Sequence, residues 1–536
     1  MRRMSVDDES QPIDQHTAEQ LQARAPSNDA PLNILPPELL VKVLANVYLL
    51  IRRAEIPWDN NWTTPYQLVC RRWRDVICST PQFWQEICVC SRPRWLEFCL
   101  TRCAGALATV LVFRPVWPDK IYATLRRHAS SIRECHIHSL GALMRGLPSL
   151  LVTPMPALET LSIDGVAYYG DDLADIPITH DLVPRLIDLD LRTCTAPLDT
   201  AVYTSLRSLR LTSCWWTISY GEFLGLMGKC HALQYLSLDE DVIDSFIDQI
   251  ANPTIDHLPS MMPVVLPRLT SVKLSGQREV LFHLLATIHA PQARRIELTN
   301  CRDDDESGPV ISRLLAPNPQ LRIPFLSSPH TVSLSCWDEA PFKLCLRCGP
   351  RRNGLFSIDY GTPHDEEWPG NANLQHNLLA TMDIFSVASV DTLEVEGCLD
   401  QVAVETWQRV FQTFSNLRAL NLKRRGTLDS LWVGLSRATT SSLERDGALC
   451  CPRLSEIAID GRPNSPYKFS ATPTLLEVVR AVLRTRADAG GTRLQKLRLY
   501  LQYTDELWSQ TSELRDPFVE VVKALVGELD YHDWQT

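Results

Sequence analysis

Glycine is scarce in this chain, 22 of 536 residues against 36 prolines, which excludes collagen-like and Gly/Ser-rich low-complexity organisation. Long apolar runs are missing too. The longest candidate, LLVKVLANVYLL, is short and carries Lys42 and Asn46, so no membrane span is expected. The start, MRRMSVDDESQ, has no apolar core of 7–15 residues, so no signal peptide is expected. Positive charge is not in excess. Lys plus Arg number 53 against 63 Asp plus Glu, a net charge of −10, which argues against nucleic acid or anionic lipid as main partner. The 17 cysteines are odd in number and irregularly spaced. A disulfide framework is not expected, and a reducing cytoplasmic and/or nuclear setting is. The sequon at Asn61 would then be silent.

Catalytic signatures are absent as well. There is no G-x-S-x-G, no H-E-x-x-H, no kinase set and no EF-hand loop. Gly228-Lys229 lacks the glycine four residues upstream, and Cys230 stands where a P-loop needs Ser or Thr. Cys345-x-x-Cys348 has no second pair, so buried thiols are expected and not zinc. Cys99 and Cys103, spaced i, i+4, read as helix core, and the acidic run 303–306 reads as a solvated loop. The chain is expected to be non-enzymatic, with no cofactor and no metal.

What is present is an apolar fraction of 45%, ample for a large core, in three compositional zones. Residues 1–30 are polar and acidic and read as a disordered tail. Residues 31–90 read as a module of three short helices. Leu39, Leu40, Val43, Leu44 and Val47 follow helical spacing behind a Pro-Pro start, and Leu68, Val69, Trp73, Val76 and Ile77 form a second stripe. Thr80-Pro81 then breaks the chain before Phe83 and Trp84.

From about residue 91 to 536 an apolar-x-x-apolar-x-apolar pattern recurs. Copies are LATVLV (107–112), IRECHI (132–137), LETLSI (158–163), LIDLDL (186–191), LRSLRL (206–211) and LQYLSL (233–238). LTSVKL (269–274), ARRIEL (293–298), VDTLEV (390–395), LRALNL (417–422), LSEIAI (454–459) and LQKLRL (494–499) continue it. Steps from Ile132 begin 26, 28, 20 and 27 residues, the period of leucine-rich repeats. A 97-residue gap holds two weaker strands, HTVSLSC and GLFSIDY. Pro156, Pro184, Pro267, Pro291 and Pro452 precede copies at one fixed slot, where proline would stop the preceding helix. Cys194, Cys214, Cys301 and Cys398 follow copies at another, where a small buried thiol fits. Amphipathic stretches lie between, PFVEVVKALVGEL among them. The expected fold class is α/β: a three-helix module followed by a leucine-rich-repeat-like solenoid of alternating helices and short parallel strands, with insertions near 302–330 and 350–375.

The helical module resembles an F-box. The matching residues are Leu35-Pro36-Pro37-Glu38-Leu39-Leu40 with Val43-Leu44, then Leu68-Val69-Cys70-Arg71-Arg72-Trp73, then Thr80-Pro81-Gln82-Phe83-Trp84. The whole chain is similar to F-box, leucine-rich-repeat-like proteins of mushroom-forming fungi. It departs from them in a longer, more polar loop from Tyr48 to Pro65, with Trp58 and Trp62. The resemblance implies a substrate receptor of a Skp–cullin–F-box ubiquitin ligase. The F-box would dock the Skp-type adaptor, and through it a cullin, while the repeats hold a target protein. Adaptor contacts would come from Leu35, Pro36, Pro37, Glu38, Leu39, Leu40, Val43, Leu44, Val69, Cys70, Arg71 and Trp73. The alternative is a non-ligase repeat scaffold with a drifted F-box.

Residues between the apolar positions of each copy share one face, so target contacts are expected at Asp188, Asp190, Arg210, Tyr235, Lys273, Glu297, Glu394, Lys423, Arg498 and Tyr500. A gradient is expected along that face, with Asp164, Asp188, Asp190 and Asp239 early and Lys423, Arg424, Lys496 and Arg498 late. The insertion loops are equal candidates. The identity of the target has no signal here.

Overall fold

The computed structural model describes residues 35–53, 66–89, 92–113, 115–140, 146–166, 176–247, 263–302, 323–337, 343–349, 356–361, 374–460 and most of 469–535, with isolated positions elsewhere. The expected tail, the segment carrying Trp58 and Trp62, the acidic run 303–306 and much of both insertions lie outside these residues. The chain divides into two compact units, Met1–Leu186 and Ile187–Thr536.

In the first unit, helix α1 spans Pro37–Arg53, opened by proline at its first position with Glu38 in the first turn. Leu40 and Leu44, one turn apart, are fully buried. The helix runs past Tyr48, where the sequence pattern suggested a loop, and the Tyr48 hydroxyl donates to the Glu86 carboxylate. Helix α2, Arg71–Ser79, starts three residues later than its apolar stripe, which begins at Leu68. Cys70 is extended, and its sulfur accepts from the Trp73 amide at 3.5 Å. In place of a third α-helix there is one 3₁₀ turn, Pro81–Trp84. It is pinned by the Trp84 indole N–H donating to the Ile77 carbonyl at 2.9 Å. Four parallel strands follow in chain order: β1 (Glu86–Val89), β2 (Ala108–Phe113), β3 (Ile132–Leu140) and β4 (Thr160–Val166). Helices α3 (Pro93–Arg102) and α4 (Pro118–Arg127) make the first two crossovers.

The second unit is α/β with a mostly parallel sheet. Its strands are β5 (Asp188–Arg192), β6 (Ser208–Thr212), β7 (Tyr235–Leu238), β8 (Ser271–Gln277), β9 (Arg295–Arg302), β10 (Thr331–Trp337), β11 (Lys343–Cys348) and β12 (Phe356–Gly361). Then come β13 (Thr392–Cys398), β14 (Ala419–Thr427), β15 (Glu456–Asp460), β16 (Lys496–Tyr503) and β17 (Glu528–Gln535). Crossover helices include α5 (Tyr220–Met227), α6 (Arg278–Thr287), α7 (Leu374–Phe385), α8 (Val404–Thr413), α9 (Asp429–Asp446), α10 (Leu475–Asp488) and α11 (Asp505–Leu525). Every copy of the six-residue pattern places its last apolar residues on a strand. The alternating leucines, such as Leu189, Leu191, Leu209 and Leu211, are buried with helix residues such as Phe223 and Met227.

The prolines act differently from the expectation. Each is the second residue of a tight turn closed by a backbone bond: Leu158 N to Met155 O, Leu186 N to Val183 O, Leu269 N to Leu266 O, Ala293 N to Ala290 O and Leu454 N to Cys451 O, at 3.0–3.3 Å. Fixed φ suits that position of a turn, so proline initiates the strand entry and does not merely end a helix. Copies without proline, such as Leu233 N to Cys230 O at 3.1 Å, close the same turn. The next residue then bonds back to the preceding copy, as Thr270 N to Gln234 O at 2.9 Å and Arg294 N to Thr270 O at 2.8 Å.

Two elements depart from a simple parallel repeat. Within the long gap the chain forms three strands, not two. The spatial order is β9, β12, β11, β10, β13, with β11 antiparallel to both neighbours. Insertion 350–375 therefore contributes strand β12 to the sheet. Helix α11 begins at Asp505 and carries Pro517 inside it, where the sequence pattern starts a helix at that proline.

Candidate protein-interaction surfaces

On the helical module, the residues expected to meet an adaptor divide by burial. Leu40, Leu44 and Trp73 are buried core of the free chain. Leu35 and Cys70 are half-buried, while Pro36, Pro37, Glu38 and Arg71 are exposed. Leu39, Val43, Leu50, Leu68 and Val69 are large apolar side chains 38–69% exposed. Leu39, Val43 and Leu50 stand 4 and 7 residues apart, which aligns them along one side of α1. The Arg72 guanidinium donates to the Leu35 carbonyl and ties the start of α1 to α2. Full burial of an aliphatic side chain of this size gains about 1.5–3 kcal/mol, so this set holds several kcal/mol for a partner. Leu50 and Leu68 were not among the residues expected from sequence. Leu50 lies on the part of α1 beyond Tyr48, and Leu68 precedes α2 in a turn.

On the second unit, the strand registers join Asp190, Arg210, Lys273, Glu297, Glu394 and Arg498 of the expected target contacts in one unbroken row. Asp190 pairs with Arg210, Arg210 with Ser237, Ser237 with Lys273 and Lys273 with Glu297. The row crosses the antiparallel insertion through Ser357, Arg347 and Ser333 to Glu394. It ends with Asn421, Ala458, Arg498 and Asp530. Asp188 and Tyr235 occupy the flanking row on one side, Lys423 and Tyr500 that on the other. Period-two alternation puts all of them on one face of the sheet. Ser357, Arg347, Ser333 and Asp530 were missed because their strands carry weak or polar versions of the repeat.

The expected charge gradient along this face does not hold. Asp190 has Arg192 at 3.6 Å and Arg210 at 3.8 Å. At the far end Lys496 pairs with Glu528 at 2.9 Å and Arg498 with Asp530 at 3.2 Å. Strand β17 thus neutralises the basic end. Arg424 is buried, 5.0 Å from the Trp337 ring centroid, and Asp239 is half-buried with its carboxyl raised by desolvation. The guanidinium of Arg210 lies 4.5 Å from the Tyr235 ring centroid, and Tyr500 stacks on His532 at 4.9 Å. Exposed pairs of this kind are worth about 0–1 kcal/mol each, which leaves them free to exchange for partner contacts.

The thiols are structural. Cys194 and Cys214 are buried, and the Cys214 thiol donates to the Leu191 carbonyl at 3.2 Å. Cys398 is only half-buried, and the side chain of Cys301 lies outside the described residues. Cys345 and Cys348 sit buried on β11, with Cys348 pushed up to about 12 by burial. Among the described residues no three His, Cys, Asp or Glu side chains come close enough to hold a metal ion, and no helix is long and apolar enough to cross a membrane. No family model and no curated protein matches the chain.

Proposed function

We propose that this chain is the substrate-recognition subunit of a Skp–cullin–F-box ubiquitin ligase. Its F-box-like module would dock a Skp-type adaptor, and its leucine-rich-repeat-like solenoid would hold a target protein for ubiquitination. The observation that carries the reading is the exposed apolar set Leu39, Val43, Leu50, Leu68 and Val69, of which Leu39 lies in the L-P-x-E-L-L segment and Val69 in the V-C-R-x-W segment, with Val43 and Leu68 close beside them in sequence. Large apolar side chains left exposed on a small helical module are unfavourable in water and call for a cover. Glu38, exposed in the first turn of α1, supplies a charged rim contact. The row from Asp190 to Asp530, polar except at the buried Ala458, is the surface offered to the target.

Purification from a host that co-expresses an adaptor tests this. The wild-type chain is expected to elute with the adaptor, and Leu39→Asp with Val43→Asp to elute without it. Both residues are exposed, so the double variant keeps its fold, which Leu40→Asp would not. A wild-type chain that never retains the adaptor leaves the scaffold reading in its place.

A further inference from the structure

A groove of about 740 Å³ lies between the start of α3 and the start of α4, and no residue of α1 lines it. Its walls are Trp95, Phe98 and Trp117, and its charged rim is Arg92, Arg94 and Lys120. Trp95 and Phe98 stack at 5.5 Å, both against the buried Trp84, with ring centroids 6.0 and 5.4 Å from it. The aromatic wall is therefore rigid. Arg102 caps the Phe98 ring at 4.3 Å and Lys120 the Trp117 ring at 4.8 Å. Trp117 and Phe98 are nevertheless well exposed, as is the adjacent Val116. Among the described residues none of Arg92, Arg94 and Lys120 has a carboxylate within ion-pair distance, whereas Glu97, on the same helix, is engaged by Arg127 and His128. Arg92 and Arg94 also flank the first turn of α3, which holds no acidic residue, and the dipole makes cations unfavourable there. In a chain of net charge −10, three uncompensated cations around an aromatic cleft are a local exception.

We infer that this groove binds an acidic peptide segment carrying one aromatic or aliphatic anchor. The anchor packs between Trp95, Phe98 and Trp117, and flanking carboxylates pair with Arg92, Arg94 and Lys120. A peptide fits better than a nucleic acid, because three cations neutralise too few phosphates to hold a polyanion against the repulsion of an acidic protein. The inference deepens the receptor reading by naming the class of segment a target would present, but the groove is separate from the adaptor face, so the two fail separately.

The test is fluorescence polarisation with the full chain and a labelled nonapeptide of Asp and Glu around a central Phe. Saturable binding is expected, weakened about tenfold or more when the acids become Asn and Gln, and likewise when the Phe becomes Ser. Arg92→Glu with Arg94→Glu, and separately Lys120→Glu, are expected to abolish it. These are exposed side chains, so the melting temperature stays unchanged and reports folding whether or not an adaptor binds. No saturable binding, equal binding of the amide peptide, unchanged affinity in the charge-reversed chains, or tighter binding of a single-stranded oligonucleotide would each overturn the inference.

Discussion

Arg486 shows how much one buried side chain holds in this molecule. Its guanidinium lies inside the second unit and donates to the carbonyls of Cys450 and Cys451, at 2.8 and 2.9 Å, fixing a turn in which Cys451 adopts positive φ. Burial lowers the arginine's proton affinity, yet the two acceptors keep it in place. Arg486→Leu strands the Cys450 carbonyl, takes one of two donors from that of Cys451, and is expected to cost about 2–4 kcal/mol, read as a lower urea midpoint with an unchanged slope. The thiols make a second prediction at this scale. Desolvation pushes Cys99 and Cys135 up to about 12 and Cys103 and Cys230 to about 11, so almost none of these is thiolate at pH 8. The half-buried Cys70 and Cys78 are expected to alkylate first with iodoacetamide, and Cys99, Cys103, Cys135 and Cys230 to react only after unfolding, as mass spectrometry would show.

At the scale of elements, α8 packs closely against α9 at Gly434. A Cβ added at Gly434 would stand 2.5 Å from the Trp407 Cβ and 3.0 Å from the backbone of Val404 and Gln408. Gly434→Ala gains helix propensity of about 1 kcal/mol but forces the helices apart, so a net loss of about 1–3 kcal/mol is expected in thermal unfolding. This element level was largely legible in sequence. Leucine at alternate positions with a turn four residues earlier gives strand, face and entry together, which is why the row could be read from Asp190 to Glu297 and again from Glu394 to Arg498, on either side of the antiparallel insertion. Three things were not legible. Lys343–Cys348 alternates like any strand, but nothing local encodes that it runs antiparallel, so its two cysteines read as an isolated pair. Glu528–Gln535 mixes Leu529, Tyr531 and Trp534 with five polar residues, and along its pairing with β16 the side chains of Lys496, Arg498 and Tyr500 supply partners to Glu528 and Asp530. Helix α1 outran its apparent end because Tyr48 finds Glu86, a partner 38 residues away. On the module, the apolar spacing marked α1 as a helix but could not separate inward Leu40 and Leu44 from outward Leu39 and Val43.

For the whole molecule, two kinds of surface imply two responses to salt. The α1 face is apolar, so its affinity for an adaptor is expected to change less than about threefold when ionic strength rises several-fold. The groove at Arg92, Arg94 and Lys120 is expected to lose acidic peptide by about tenfold or more over the same range. Titrations in parallel at low and high salt check both. The net charge says little about either partner, because the sheet face pairs its own charges and the cationic groove is a local exception. The receptor reading depends on adaptor docking, and quantitative binding of purified adaptor to the full chain addresses it most directly. A saturable one-to-one complex that Leu39→Asp with Val43→Asp weakens by about thirtyfold or more, with thermal stability unchanged, is the predicted result. No complex with the wild-type chain, or equal affinity for the double variant, would contradict it.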